Sequence, residues 1–403
     1  MKELSLSEQI DKAVPDTIDF LRGLLEIPSL SGHEEAATEY IFNAFRALGC
    51  ECRLAEIPRD LSSDPLYAFV NGRPQHENRY NVIAKLGSGP GGIVFNTHID
   101  TVPPANDIPF MLRGDVIYGR GTCDAKGQLA VIYLVYKALL DAGSILAAPV
   151  TAHFVVEEEN GGNGSLAILR SEDMKFDRAV VLEPTQLKIM TAARGAIWFR
   201  IKFHGVSGHS GDASKSYSAL LYAIQGMKLI TAYHQELLDL QRGTSPFEKY
   251  ANPMPLTFGA LHSGRWPSII PDEAILEGVL GFLPGKTDSD ICDELCKALD
   301  TEELRGRCEI EFTFRRNPVV TSRDNPLVAD MAVACERAGI TPVLDVLTCF
   351  CDAWIYGMCN IPVVVFGAGS LSDAHSAHEI VTVSELKKAA LVLANLIIKE
   401  ERI

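Results

Sequence analysis

Two histidines and a set of carboxylates stand where strand-like runs of this chain give way to loops. The first group is Asn96-Thr97-His98-Ile99-Asp100. In extended chain His98 and Asp100 share a face, so the carboxylate can hold the far nitrogen of a metal-bound imidazole. Asp124 follows in Gly119-Arg120-Gly121-Thr122-Cys123-Asp124-Ala125-Lys126-Gly127, a glycine-rich entry to a helix. Glu157-Glu158-Glu159 precedes Asn160-Gly161-Gly162, and Glu183 ends a strand-like run at Leu182-Glu183-Pro184. The last group is Ala374-His375-Ser376-Ala377-His378-Glu379. Two imidazoles and three carboxylates form a natural ligand set for a pair of Zn²⁺ ions, one carboxylate bridging. Paired metals can acidify a shared water and stabilise the oxyanion that forms. In adjacent glutamates, one can bind metal while the other moves the water's proton. Taken singly, His98 and Asp100 could be a surface pair and Glu157–Glu159 a solvated turn; their conjunction at strand ends carries the reading.

The elements that must hold these groups follow from periodicity. Helices are expected at residues 8–25, 34–48 and 124–142, with strands at Tyr80–Leu86, Ile93–Asn96, Val150–Val156 and Ala179–Leu182. Such alternation indicates an α/β domain with a mostly parallel sheet, whose ligands bind beyond the strand carboxyl ends. After about residue 192 the order becomes β-α-β-β-α-β: Ala196–Phe203, Tyr217–Leu240, Pro255–Leu261, Ala274–Phe282, Asp288–Leu299, Cys308–Phe314. The α/β rhythm then resumes, with a helix at Leu327–Ala338, a strand at Val363–Phe366 and a terminal helix from Val383. We therefore expect a catalytic domain of residues 1–192 and 316–403, interrupted by a smaller α+β domain of residues 193–315.

Composition narrows the function classes. The 403 residues, 47% hydrophobic and 22% charged, suit a globular protein of about two domains. Thirty-seven basic against fifty-two acidic residues leave a formal charge of -15, which disfavours nucleic acid and anionic lipid as partners. The polar start and the lack of a long apolar run give no signal peptide or membrane span, so a cytoplasmic enzyme is expected. Ten scattered cysteines fit reduced thiols rather than a disulfide scaffold. Cys349 and Cys351 have no nearby base pattern that would make a nucleophile.

From about residue 15 to the C-terminus the sequence resembles the two-zinc peptidases and deacylases. That family includes acetylornithine deacetylase, succinyl-diaminopimelate desuccinylase, aminoacylase and bacterial glutamate carboxypeptidase. The resemblance rests on His98-x-Asp100, Gly119-Arg120-Gly121-x-x-Asp124-x-Lys126-Gly127, Glu158-Glu159 and His375-x-x-x-Glu379. It implies a three-layer zinc-hydrolase domain and a ferredoxin-like lid and dimerisation domain. It also implies that His98, Asp124 and Glu183 hold one zinc, and Asp124, Glu159 and His375 the other. Asp100 would orient His98, and Glu158 would be the general base. Counting back from Gly164-Ser165 sets that register; the alternative pair is Glu157 and Glu158. Gly205-Val206-Ser207-Gly208-His209-Ser210 resembles the segment whose histidine crosses a dimer interface to steady the oxyanion.

Departures from the family pattern bear on substrate. Ser268 replaces a common asparagine, Gly281-Phe282 a common arginine, and Trp354 another; Arg194 remains a candidate carboxylate anchor. Glu183, rather than aspartate, leans by resemblance toward deacylases and carboxypeptidases. The expectation is thus a metal-dependent hydrolase of small N-acyl amino acids or N-acyl amines, with two Zn²⁺ per chain. Co²⁺ or Mn²⁺ could substitute. The alternatives are a dipeptidase or carboxypeptidase on the same metals, and a metal-binding dimer without activity, against which Glu158 speaks.

Overall fold

The computed structural model describes residues 4–69, 79–104, 110–171, 175–212 and 214–399. The chain divides into two compact units: Met1–Ala192, Val320–Val346 and Cys351–Ile403 form one, Ala193–Val319 and Leu347–Phe350 the other.

The first unit is built on a nine-stranded sheet. Its centre runs Tyr80–Leu86, Val150–Val155, Ile93–His98, Arg178–Val181, Val363–Val365. The last four of these pair in parallel, and their residues are almost wholly buried, as expected for a sheet covered on its faces. The sheet is mixed, which corrects the expectation of a mostly parallel one. Glu51–Glu56 pairs antiparallel with Tyr80–Leu86, which pairs antiparallel with Val150–Val155. Val363–Val365 meets Ile189–Ala193 in the same antiparallel sense. A parallel link needs a crossover, usually helical, and only a short 3-10 turn, Arg59–Ser63, lies among the described residues between 56 and 80.

Helix Leu6–Leu25 begins at a capping box, Ser5 with Glu8, and packs on Lys126–Ala142. The latter is buried along most of its length and closes at Gly143, whose φ of 64° is the left-handed cap that glycine allows. It starts at Lys126 rather than at Asp124, and in the loop before it Gly121, Cys123 and Asp124 give their backbone N–H groups to the Glu379 carboxylate. Val383–Ile397, capped by Thr382 and Glu385, packs on the same helix. Three short strands outside the sequence reading, Met111–Arg113, Val116–Tyr118 and Ile380–Thr382, form a small separate sheet. Among the described residues no helix is long and apolar enough to cross a membrane.

The second unit is a four-stranded antiparallel sheet in the order Leu256–Ser263, Glu273–Phe282, Gly195–His204, Cys308–Arg316. Its helices are Ala219–Leu240 and Asp288–Leu299. Residues of Gly195–His204 alternate between buried and half-buried, the period of a strand with one covered face.

Candidate active site

Three parallel strands of the first unit deliver their chemistry at one edge of the sheet. His98 is the last residue of Ile93–His98, Glu157–Glu159 follow Val150–Val155, and Glu183 follows Arg178–Val181. Asp124 arrives from the loop before Lys126–Ala142, across a cis Asp124–Ala125 peptide, and His375 from the loop before Ile380–Thr382. His98 Nε2 lies 3.0 Å from Asp124 Oδ1, and His375 Nε2 lies 3.3 Å from Asp124 Oδ2. His375 Nε2 is also 3.0 Å from Glu159 Oε1. Asp124 therefore shows one carboxylate oxygen to each imidazole. One donor atom from each of His98, Asp124 and Glu159 falls within 4.8 Å of the other two.

The electrostatics describe a site short of positive charge. Burial opposes ionisation of Asp124, yet His375 and His98 outweigh it and hold its carboxyl well below the ordinary range. Asp124 and Glu159 push His375 up to about 10. Glu158 and Glu183 go the other way: burial, aided by neighbouring carboxylates, raises both well above the usual value. A buried excess of carboxylate beside two imidazoles is a donor set that divalent cations satisfy, and N/O ligands suit zinc, cobalt or manganese.

Asp100 meets the His98 ring through two of its oxygens. His98 Nδ1 is 2.9 Å from the backbone carbonyl of Asp100 and 3.5 Å from its Oδ1. The carbonyl is thus the nearer partner of the ring. The Asp100 carboxylate accepts the backbone N–H groups of Glu158 (3.0 Å) and Glu159 (3.1 Å) and the Ser31 hydroxyl (2.6 Å). It holds the glutamate turn as much as the histidine.

Several positioning groups had no assigned role in the sequence reading. Glu379, 2% exposed, accepts on Oε1 from the N–H groups of Gly121, Cys123 and Asp124 and on Oε2 from Arg120. Its place three residues beyond Ala-His-Ser gave no hint of a partner some 250 residues earlier. Lys126, lowered to about 7 by burial, donates to the carbonyls of Leu24 and Ile27. Arg79 is buried between Glu34 and Glu157. Cys123 packs beside Asp124, and burial holds its thiol protonated far above neutral pH. His378 is exposed, its backbone bonded to Ser376, and is not in the cluster.

The other sequence candidates belong to the second unit. His209 lies in the short strand Gly208–His209, exposed, its Nδ1 accepting from Gly211 N. Arg194 is 9% exposed and donates to the carbonyls of Thr348 and Gly195. A Cβ on Gly281 would lie 2.6 Å from its Nη1, so Arg194 fills the space beside the missing side chain at 281.

Comparison with known proteins agrees with this geometry. An acetylornithine deacetylase from Erwinia tasmaniensis is 27% identical, over 95% of this chain and 97% of its own. A di-peptidase from Saccharomyces cerevisiae superposes with a TM-score of 0.77 over 97% of both chains, at 13% identity. A tripeptidase from Staphylococcus aureus does so at 0.76 and 18% identity, over 95% of this chain and 97% of its own. At those identities the two structures speak for the fold alone. The model of peptidase family M20/M25/M40 matches residues 94–399, a span that holds every member of the His98–Asp124–Glu159 cluster. On that match, and with that cluster at the sheet edge, the chain belongs to peptidase family M20/M25/M40 and is a metallohydrolase of amide or peptide bonds.

Proposed function

We propose that this enzyme is a deacylase, removing the acyl group from a small N-acyl amino acid or N-acyl amine. The shared Asp124, with one oxygen toward His98 and the other toward His375, supports the two-metal site, and the likeness to acetylornithine deacetylase over 95% of the chain supports a deacylase on it. His98, Asp124 and Glu183 would hold one zinc ion, and Asp124, Glu159 and His375 the second, with cobalt or manganese as substitutes. Bound metal would acidify the attacking water and polarise the substrate carbonyl. Glu158 takes the water's proton on its carboxylate and returns it to the departing amine. That register is supported by Glu157, whose own carboxylate is occupied by Arg79 and Asn163. Asp100 orients His98 through its carbonyl and the glutamate turn through its carboxylate.

The second unit is read as a lid and dimerisation domain inserted in a three-layer catalytic domain, with His209 serving the partner's site in a cytoplasmic homodimer. Arg194 is the candidate substrate anchor. Its guanidinium is already engaged by the backbone carbonyls of Thr348 and Gly195, so its hold on a substrate carboxylate is expected to be modest. A dipeptidase or carboxypeptidase on the same metals is the second reading, since the matched family takes peptide as well as amide bonds.

A panel of N-formyl, N-acetyl and N-succinyl amino acids, their carboxamides, and dipeptides, assayed with zinc-reconstituted protein, tests this. Turnover of an N-acyl substrate at least tenfold above any dipeptide supports the deacylase. The reverse order assigns a dipeptidase. Because arginine is missing at Gly281 and Trp354, an acid and its carboxamide should differ little in kcat/KM. Discrimination on the order of 10⁴ would assign carboxylate recognition to Arg194.

A further inference from the structure

Three successive backbone N–H groups, those of Glu157, Glu158 and Glu159, are each captured by a carboxylate from elsewhere in the first unit. Glu34 Oε1 accepts from Glu157 N at 3.2 Å, Asp100 Oδ1 from Glu158 N at 3.0 Å, and Asp100 Oδ2 from Glu159 N at 3.1 Å. Glu157 has a φ of 62°, the left-handed region that a non-glycine residue enters only when its surroundings over-determine it. Those surroundings are visible. The Glu157 carboxylate accepts from the Arg79 guanidinium on one oxygen and from Asn163 Nδ2, at 2.9 Å, on the other. Arg79 reaches Glu34 with its second terminal nitrogen, at 2.5 Å, so one guanidinium ties both carboxylates together. The Arg79, Glu34 and Glu157 side chains are all 1% exposed. Glu34 and Arg79 come from residues ahead of the family match at 94–399.

A left-handed residue reverses the chain locally, so its φ decides where the next two side chains point. Without the clamp, Glu157 would relax toward an ordinary conformation, and the side chains of residues 158 and 159 would turn with it. We propose that Arg79, Glu34 and Glu157 form a positioning triad that locks the strained turn at Glu157 and thereby aims Glu158 and Glu159 into the metal site. The inference rests on the roles proposed above for Glu158 and Glu159. None of the three touches substrate; each acts through the turn.

The test compares Arg79→Met and Glu157→Gln with Val135→Ala. Val135 is fully buried in the helix Lys126–Ala142 and serves as a stability control. Cobalt(II) affinity is measured by competition with a chelator, alongside the visible spectrum of the cobalt protein, the melting temperature, and kcat and KM. Loss of an outer positioning partner typically costs 10- to 100-fold in metal affinity or activity. Arg79→Met and Glu157→Gln should weaken cobalt binding at least tenfold, alter its spectrum and lower kcat with KM little changed. Val135→Ala should lower the melting temperature and leave the cobalt spectrum alone. Cooperatively folded Arg79→Met and Glu157→Gln with wild-type cobalt affinity and spectrum would overturn the triad. Should Arg79→Met fail to fold, Glu157→Gln and Glu34→Gln, which keep side-chain size, decide the matter. Cobalt binding needs no substrate, so a wrong choice of substrate leaves the test intact. Wild-type protein that binds no cobalt would overturn the metal-site reading itself.

Discussion

Glu379→Ala is the sharpest single perturbation of the loop that carries Asp124. The change removes the acceptor of three backbone N–H groups, at 2.9, 3.1 and 3.1 Å, and the partner of Arg120. Each buried donor left without a partner costs about 1–3 kcal/mol. Water entering the vacated space recovers part of the sum, which leaves an expected loss of about 4 kcal/mol. Glu379→Gln keeps one oxygen for the amides but sets an NH₂ against the Arg120 guanidinium, for an expected loss of about 2 kcal/mol. At about 2 °C per kcal/mol for a unit of this size, melting should fall by about 8 °C and about 4 °C respectively. The assay is scanning calorimetry on chelator-treated protein, so that metal binding does not enter the difference. Metal affinity, measured separately, should fall at least tenfold for the alanine variant, because Asp124 N is one of the released donors. A loss below about 0.5 kcal/mol, the range of an ordinary surface change, would refute the reasoning.

Two further outcomes follow from the proposed roles. Glu158→Gln should lower kcat by about 10²- to 10⁴-fold with metal content intact, whereas Glu159→Gln should lose metal; elemental analysis beside kinetics separates them, and loss of metal in Glu158→Gln with loss of turnover alone in Glu157→Gln would shift the register by one. His209→Ala and Glu158→Ala, each inactive alone, should regain about a quarter of wild-type activity when refolded together as random dimers. No recovery in verified hybrids would place His209 in its own chain's site.

Much of the site was legible because its ligands sit at strand ends, where a buried apolar run stops at a polar residue. Val150–Val155 before Glu157–Glu159, and Arg178–Val181 before Glu183, are of this kind. A helix with a clear end was equally open to reading, as at Gly143, whereas the cap at Ser5 was missed and the first helix begins two residues ahead of its expected start. What stayed hidden depends on partners distant in sequence. Nothing local to Glu379 shows that it will cap the amides of Gly121 and Asp124, and nothing near Arg79 names Glu157. The edge strand Glu51–Glu56 was missed because its residues are largely exposed or half-buried, so the apolar alternation that marks a strand is weak. The mixed sense of the sheet was hidden for a related reason: strand direction is set by the connections, and residues 56–80 carry no periodic signal.

The central claim is that two metals share Asp124. Its most direct test is a crystal structure of zinc-reconstituted protein, with anomalous difference maps recorded on both sides of the zinc edge. The account predicts two zinc peaks with Asp124 between them, one beside His98 and Glu183, the other beside Glu159 and His375. A single peak in fully active protein, or two peaks of which Asp124 touches only one, would contradict it.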